Sequence, residues 1–165
     1  MQKRRGISPV IATVIIVAVT IAVAIAVAFW MTGIVGLFTA AEKVEFVSLY
    51  ATPKSDGSGW TLTAIVRNVG TTSTSIDSVF INGILAGTIS GTNVKTDTST
   101  LKCLSDIKFD TTTSKNPMMP GENATVIITL NKGDCGVFQA QSGVSIEVKL
   151  HSTGGKEYPK LTVLP

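Results

Sequence analysis

The sequence predicts an α+β protein made of one long apolar helix followed by a single all-β sandwich. Three observations predict it. No charged side chain occurs between Arg5 and Glu42, the remaining residues break into short β-prone runs separated by turn signals, and one of those signals is Asn82-Gly83 set between apolar runs.

The helix comes first. Lys3-Arg4-Arg5-Gly6 gives way to Ile7-Ser8-Pro9-Val10-Ile11-Ala12-Thr13 and then to uninterrupted apolar sequence. Ser8 is a good N-cap and Pro9 is pre-set for a first helical turn, so a helix begins just beyond Gly6. A helix from Ile7 to Ala40 would extend roughly 50 Å, against a hydrocarbon core of ~30 Å. The run is too long for the apolar region of a secretory signal peptide. An ordinary membrane anchor with its basic flank in the cytoplasm remains an alternative, but it leaves part of the length unexplained.

The residues from Lys3 to Gly36, and Lys3-Arg4-Arg5-Gly6-Ile7-Ser8-Pro9-Val10-Ile11-Ala12 above all, resemble the class III signal peptide and helix start of archaeal type IV pilins. The resemblance implies that a prepilin peptidase cuts between Gly6 and Ile7. It also implies that the apolar segment anchors a precursor in the cytoplasmic membrane, and that pilus assembly machinery then packs it into the core of an extracellular helical homopolymer. Glycine suits such a cut because it leaves the backbone unhindered. Bacterial relatives carry a glutamate in the first turn; here there is none. Archaeal-flagellum subunits share the processing and stand as an alternative. The division expected is a signal peptide at 1–6, an assembly and membrane helix at 7–41 and an extracellular domain at 42–165.

Within the helix, Ala18, Ala22 and Ala26 recur every four residues. That spacing serves either close helix packing or simple helix propensity. Gly33 and Gly36 are candidate flexible points.

The formal charge of +3 invites a nucleic-acid reading, which the distribution removes. Taking Lys3, Arg4 and Arg5 from fourteen basic residues leaves eleven, equal to the acidic count. No basic stripe interleaved with aromatics exists, so no nucleic-acid partner is expected.

In the head, Val44 to Tyr50 is β-prone, and Trp60, Leu62, Ala64 and Val66 alternate with polar residues as in a half-buried strand. Val79 to Ile81 and Ile84 to Ala86 flank Asn82-Gly83, the strongest short-range hairpin signal. Leu101 to Phe109, Ala124 to Leu130, Val144 to Leu150 and Tyr158 to Leu164 supply further strands. About seven strands imply a β-sandwich. The runs at Thr63 to Gly70 and Pro120 to Ala124 resemble immunoglobulin-like adhesion modules, which implies a surface-adhesion role. The Thr- and Ser-rich clusters at 71–75, 96–100 and 111–114 read as exposed polar surface, open to O-glycosylation.

Cys103 and Cys135 are the only cysteines. Their number and spacing exclude zinc ribbons and Cys-x-x-Cys redox chemistry, and in an extracellular domain they point to a disulfide, the other reading being two buried thiols. His151, the sole histidine, has no evident orienting partner or nucleophile in its neighbourhood, so no catalytic residue is expected and the chain is not read as an enzyme. Asp97, Asp106, Asp110 and Asp134 lack calcium-loop spacing, so neither metal nor cofactor is expected. Asn123-Ala124-Thr125 is the only N-glycosylation sequon. A membrane-anchored extracellular binding module is the alternative of a different class.

Overall fold

A computed structural model of the chain describes residues 8–111 and 116–165. Gly6 and Ile7, the expected cleavage pair, lie outside the described residues, as do Thr112, Thr113 and Ser114 of the third polar cluster. The chain divides into a helical unit ending at Ala40 and a second unit from Ala41 to Pro165.

The first unit holds α1, Pro9–Thr39, 31 residues long. Ser8 occupies the N-cap position, as its residue type led one to expect, yet its side chain makes no capping hydrogen bond. The reason is local. The Ser8 carbonyl accepts from the amides of both Ile11 (3.0 Å) and Ala12 (3.2 Å), so the Ile11 amide that a capping hydroxyl would take is already engaged. Pro9 sits at the start of the helix, where its missing N–H costs nothing. The helix runs on through Gly33 and Gly36, and the chain turns extended at Ala40.

The second unit contains, in chain order, β1 Val44–Pro53, β2 Gly59–Asn68, β3 Ile76–Ile81, β4 Ile84–Ser90, β5 Asn93–Thr96, β6 Leu104–Thr111, β7 Asn123–Asn131, β8 Gly133–Asp134, β9 Gln139–Ala140, β10 Ser145–Ser152 and β11 Glu157–Val163. They form one sheet of order β1-β2-β7-β6, a second of order β11-β10-β3-β4-β5, and the small β8-β9 ribbon. All pairings are antiparallel. The two larger sheets stack through one continuous core. Leu62, Ala64 and Val66 of β2 and Val126, Ile128 and Leu130 of β7 share it with Val79 and Ile81 of β3 and Ile146, Val148 and Leu150 of β10, and all are wholly buried. Their spacing of two along each strand is what lets one face of each sheet be apolar throughout.

The β3-β4 hairpin closes on Asn82 (φ 49°) and Gly83 (φ 80°). Two successive positive φ values define the tight turn whose twist matches its strands, which is why Asn-Gly stands there. Ile81 pairs with Ile84 across it.

Two expectations need correction. Leu101 lies in no strand: β6 begins only at Leu104, whose amide donates to the Leu101 carbonyl. Here the chain folds against Cys135, because Cys103 is bonded to it and Lys102 donates to the Cys135 carbonyl. Leu101 is therefore a fully buried loop residue. The polar cluster at 71–75 is likewise not all surface. Thr74 is only 2% exposed; its backbone pairs with Met118 and its hydroxyl donates to Glu42 Oε1 at 2.6 Å.

Candidate assembly surface

The chemistry of α1 follows from what it lacks. There is no acidic residue in its first turn, no basic residue in its last, and no polar face along its length. Fifteen of its large apolar side chains, from Val10 to Val35, are at least half exposed, Phe29 (74%) and Trp30 (68%) most among the aromatics. Ala18, Ala22 and Ala26 are exposed as well. At four-residue spacing they form a stripe of small side chains on one side of the helix. Beside its start, Thr13, Val14, Val17, Ala18 and Ile21 line a shallow apolar notch of about 380 Å³, the kind of depression into which a neighbouring helix sets a side chain.

Among the described side chains, Thr13, Thr20 and Thr32 interrupt the apolar surface, and each hydroxyl is satisfied within the helix. Thr13 donates to the Val10 carbonyl (2.8 Å), Thr20 to that of Val17 (2.8 Å), and Thr32 to those of Phe29 (3.0 Å) and Ala28 (3.1 Å). Such back-bonding leaves no hydroxyl proton in need of a partner in lipid or between packed helices. Sequence reasoning passed over these residues, although a threonine within an apolar helix is itself the signal.

In the second unit, Cys103 and Cys135 form a disulfide with Cα atoms 4.5 Å apart. It fastens the stretch before β6 to the turn between β8 and β9. Asn123 is the first residue of β7 and is exposed, while Thr125 is half-buried. His151 does have an orienting partner, contrary to the expectation from sequence. Its Nδ1 lies 2.7 Å from Asp77 Oδ1, a pairing across β10 and β3 between residues 74 apart that local sequence cannot reveal. No nucleophile completes the pair in a described hydrogen bond. Asp97 engages the Ser99 hydroxyl (2.6 Å) and amide (2.9 Å), which hold its carboxyl below the usual range. Asp134 accepts from the Gly136 amide at 2.8 Å. These carboxylates organise turns. Among the described residues no three His, Cys, Asp or Glu side chains gather as a metal site.

Residues 41–43 are fastened to the sandwich. The Ala41 carbonyl accepts from the Thr71 amide (2.8 Å), the Lys43 carbonyl from the amides of Val69 and Gly70, and the Ala41 amide donates to Thr71 Oγ1 (2.9 Å). A Cβ on Gly70 would stand 2.4 Å from the Ala41 oxygen, so only glycine permits this approach. The loop itself is shaped by Asn68, wholly buried. Its Nδ2 donates to the carbonyls of Thr72 and Met118, and its Oδ1 accepts from the Gly70 amide. Tyr158 lies partly buried with its phenol pushed upward in pKa, first by that burial and next by the Glu42 carboxylate.

No family model matches the chain, and no curated protein matches it. Among solved structures, the archaeal flagellum of Methanospirillum hungatei strain JF1 is similar at 19% identity and a TM-score of 0.46, over 94% of this chain and 88% of that one. The Iho670 flagellar-like filament is similar at 16% identity and a TM-score of 0.37, over 95% and 98%. At these values the likeness carries no functional weight.

Proposed function

We propose that this protein is the structural subunit of an extracellular filament of the type IV pilus kind. In this reading a prepilin peptidase cuts between Gly6 and Ile7, α1 holds the precursor in the cytoplasmic membrane, and assembly machinery then moves it into a helical homopolymer. The sandwich forms the outer layer and serves surface adhesion, without catalysis. The observation that carries the reading is the exposed apolar surface of α1. Full burial of one Val, Ile or Phe side chain contributes ~1.5–3 kcal/mol, and α1 exposes fifteen large apolar side chains. Covering even a third of them between neighbouring copies offsets an association cost of roughly 4–15 kcal/mol.

Pilus and archaeal-flagellum filaments ask the same of such a helix, so adhesion rather than rotation rests on the resemblance of the head to adhesion modules. The test is imaging and mass analysis of sheared surface material. Filaments whose subunit begins at Ile7 are expected, and Gly6→Val should leave uncut precursor in the membrane and no filaments. A detergent-soluble monomer confined to membranes, with Met1 retained, would instead favour the anchored binding module.

A further inference from the structure

Resting on that reading, we infer that the membrane-held subunit inserts only as far as Phe29-Trp30-Met31, that these three side chains form a collar at the outer headgroup interface, and that the last eight residues of α1 stand clear of lipid. The first observation is length. At 31 residues the helix rises ~46 Å, and even at a ~40° tilt, the upper end for membrane helices, it would still rise ~36 Å through a ~30 Å core. It cannot be wholly immersed. At the average tilt of ~20°, ~21 residues cross the core; counted from Pro9, the crossing ends at Phe29.

The second observation fixes the register. From Pro9 to Phe29 the only polar residues are Thr13 and Thr20, with no glycine; from Met31 to Thr39, four of nine are Thr32, Gly33, Gly36 and Thr39. The change falls at Trp30, the sole tryptophan of the helix, and tryptophan favours the lipid–water interface. Phe29, Trp30 and Met31 are 74%, 68% and 63% exposed. As consecutive helical residues they point ~100° apart and so surround the helix at one level. Sliding the helix outward would draw Lys3-Arg4-Arg5 into hydrocarbon, and sliding it inward would submerge the collar with Thr32 and Gly33.

The experiment uses the full chain in phosphatidylcholine vesicles whose lipids carry bromine either near the carbonyls or near the acyl-chain ends. The signal of Trp30 is isolated by subtracting that of Trp30→Phe. The loss of emission should be greatest with bromine near the carbonyls. Stronger quenching by chain-end bromine, or none in chains that float with the vesicles, overturns the inference while leaving membrane anchoring intact; chains that fail to float overturn both. In the same vesicles Gly36→Cys, where a Cβ meets nothing within 4 Å, should react with an impermeant maleimide, whereas Ala24→Cys should not. A protected Gly36→Cys would also overturn it.

Discussion

Ile21 in α1 and Ile128 in β7 are the same side chain in opposite circumstances: the first is 54% exposed and the second not at all. Ile128 has its environment made by the strands on either side of it and by the facing sheet, all from its own domain. Ile21 finds no comparable cover along a helix that is apolar all round, and such a helix calls for lipid or for other helices. The contrast teaches that the sandwich buries its apolar residues within its own two sheets, whereas the helix leaves its large apolar side chains exposed along its length. Substitutions in the two regions should therefore fail different assays.

The largest effect is expected for Ala22→Asp. An unpaired charge buried among packed helices costs several kcal/mol and recurs in every subunit, so sheared fractions should contain no filaments. The separately expressed segment 42–165 should remain a folded monomer. If that segment polymerised alone, or if Ala22→Asp filaments looked normal, the contrast between the regions would collapse.

A reciprocal effect is expected in the head. Cys103 and Cys135 are 32 residues apart, and closing such a loop stabilises the fold by roughly 3–4 kcal/mol in the chain-entropy model. Replacing both by Ser should lower the unfolding free energy of the head by that amount, seen as a lower denaturation midpoint, with filaments still forming below the new midpoint. Peptide mapping without reductant should find the single linked pair; two free thiols would remove the basis of this prediction.

A smaller loss, about 1–3 kcal/mol, is expected for Asn68→Ala, which strips partners from the Gly70 amide and the Thr72 and Met118 carbonyls. Chemical denaturation of the isolated head measures it. An unchanged midpoint would mean that water replaces the side chain without penalty.

What was legible in the sequence is what neighbours along the chain decide. The alternation of Trp60, Leu62, Ala64 and Val66 was readable because a strand buries every second residue, and all four are buried. Asn82-Gly83 was readable because turn geometry is local, and α1 because a 31-residue run without a charge needs no partner to announce itself. Illegible features depend on distant residues. β5, Asn93-Val94-Lys95-Thr96, has little strand character and exists through its pairing with β4. Leu101 looked like strand because it is apolar, but the bond from Cys103 to Cys135 bends that segment away from the sheet. The His151 and Asp77 contact, the burial of Thr74 and the bonding of Asn68 all join segments brought together only by the finished sandwich.

The fastening of residues 41–43 has a mechanical meaning. In a filament under tension, force leaving the helix along the covalent chain enters the head at Ala41, and the first contacts to bear it are the bonds between Ala41 and Thr71 and between Lys43 and the amides of Val69 and Gly70. These few bonds lie in series ahead of the nine-pair ladder of β1 on β2. A pull on Ala41 therefore loads these few bonds before it loads the ladder or the core behind them.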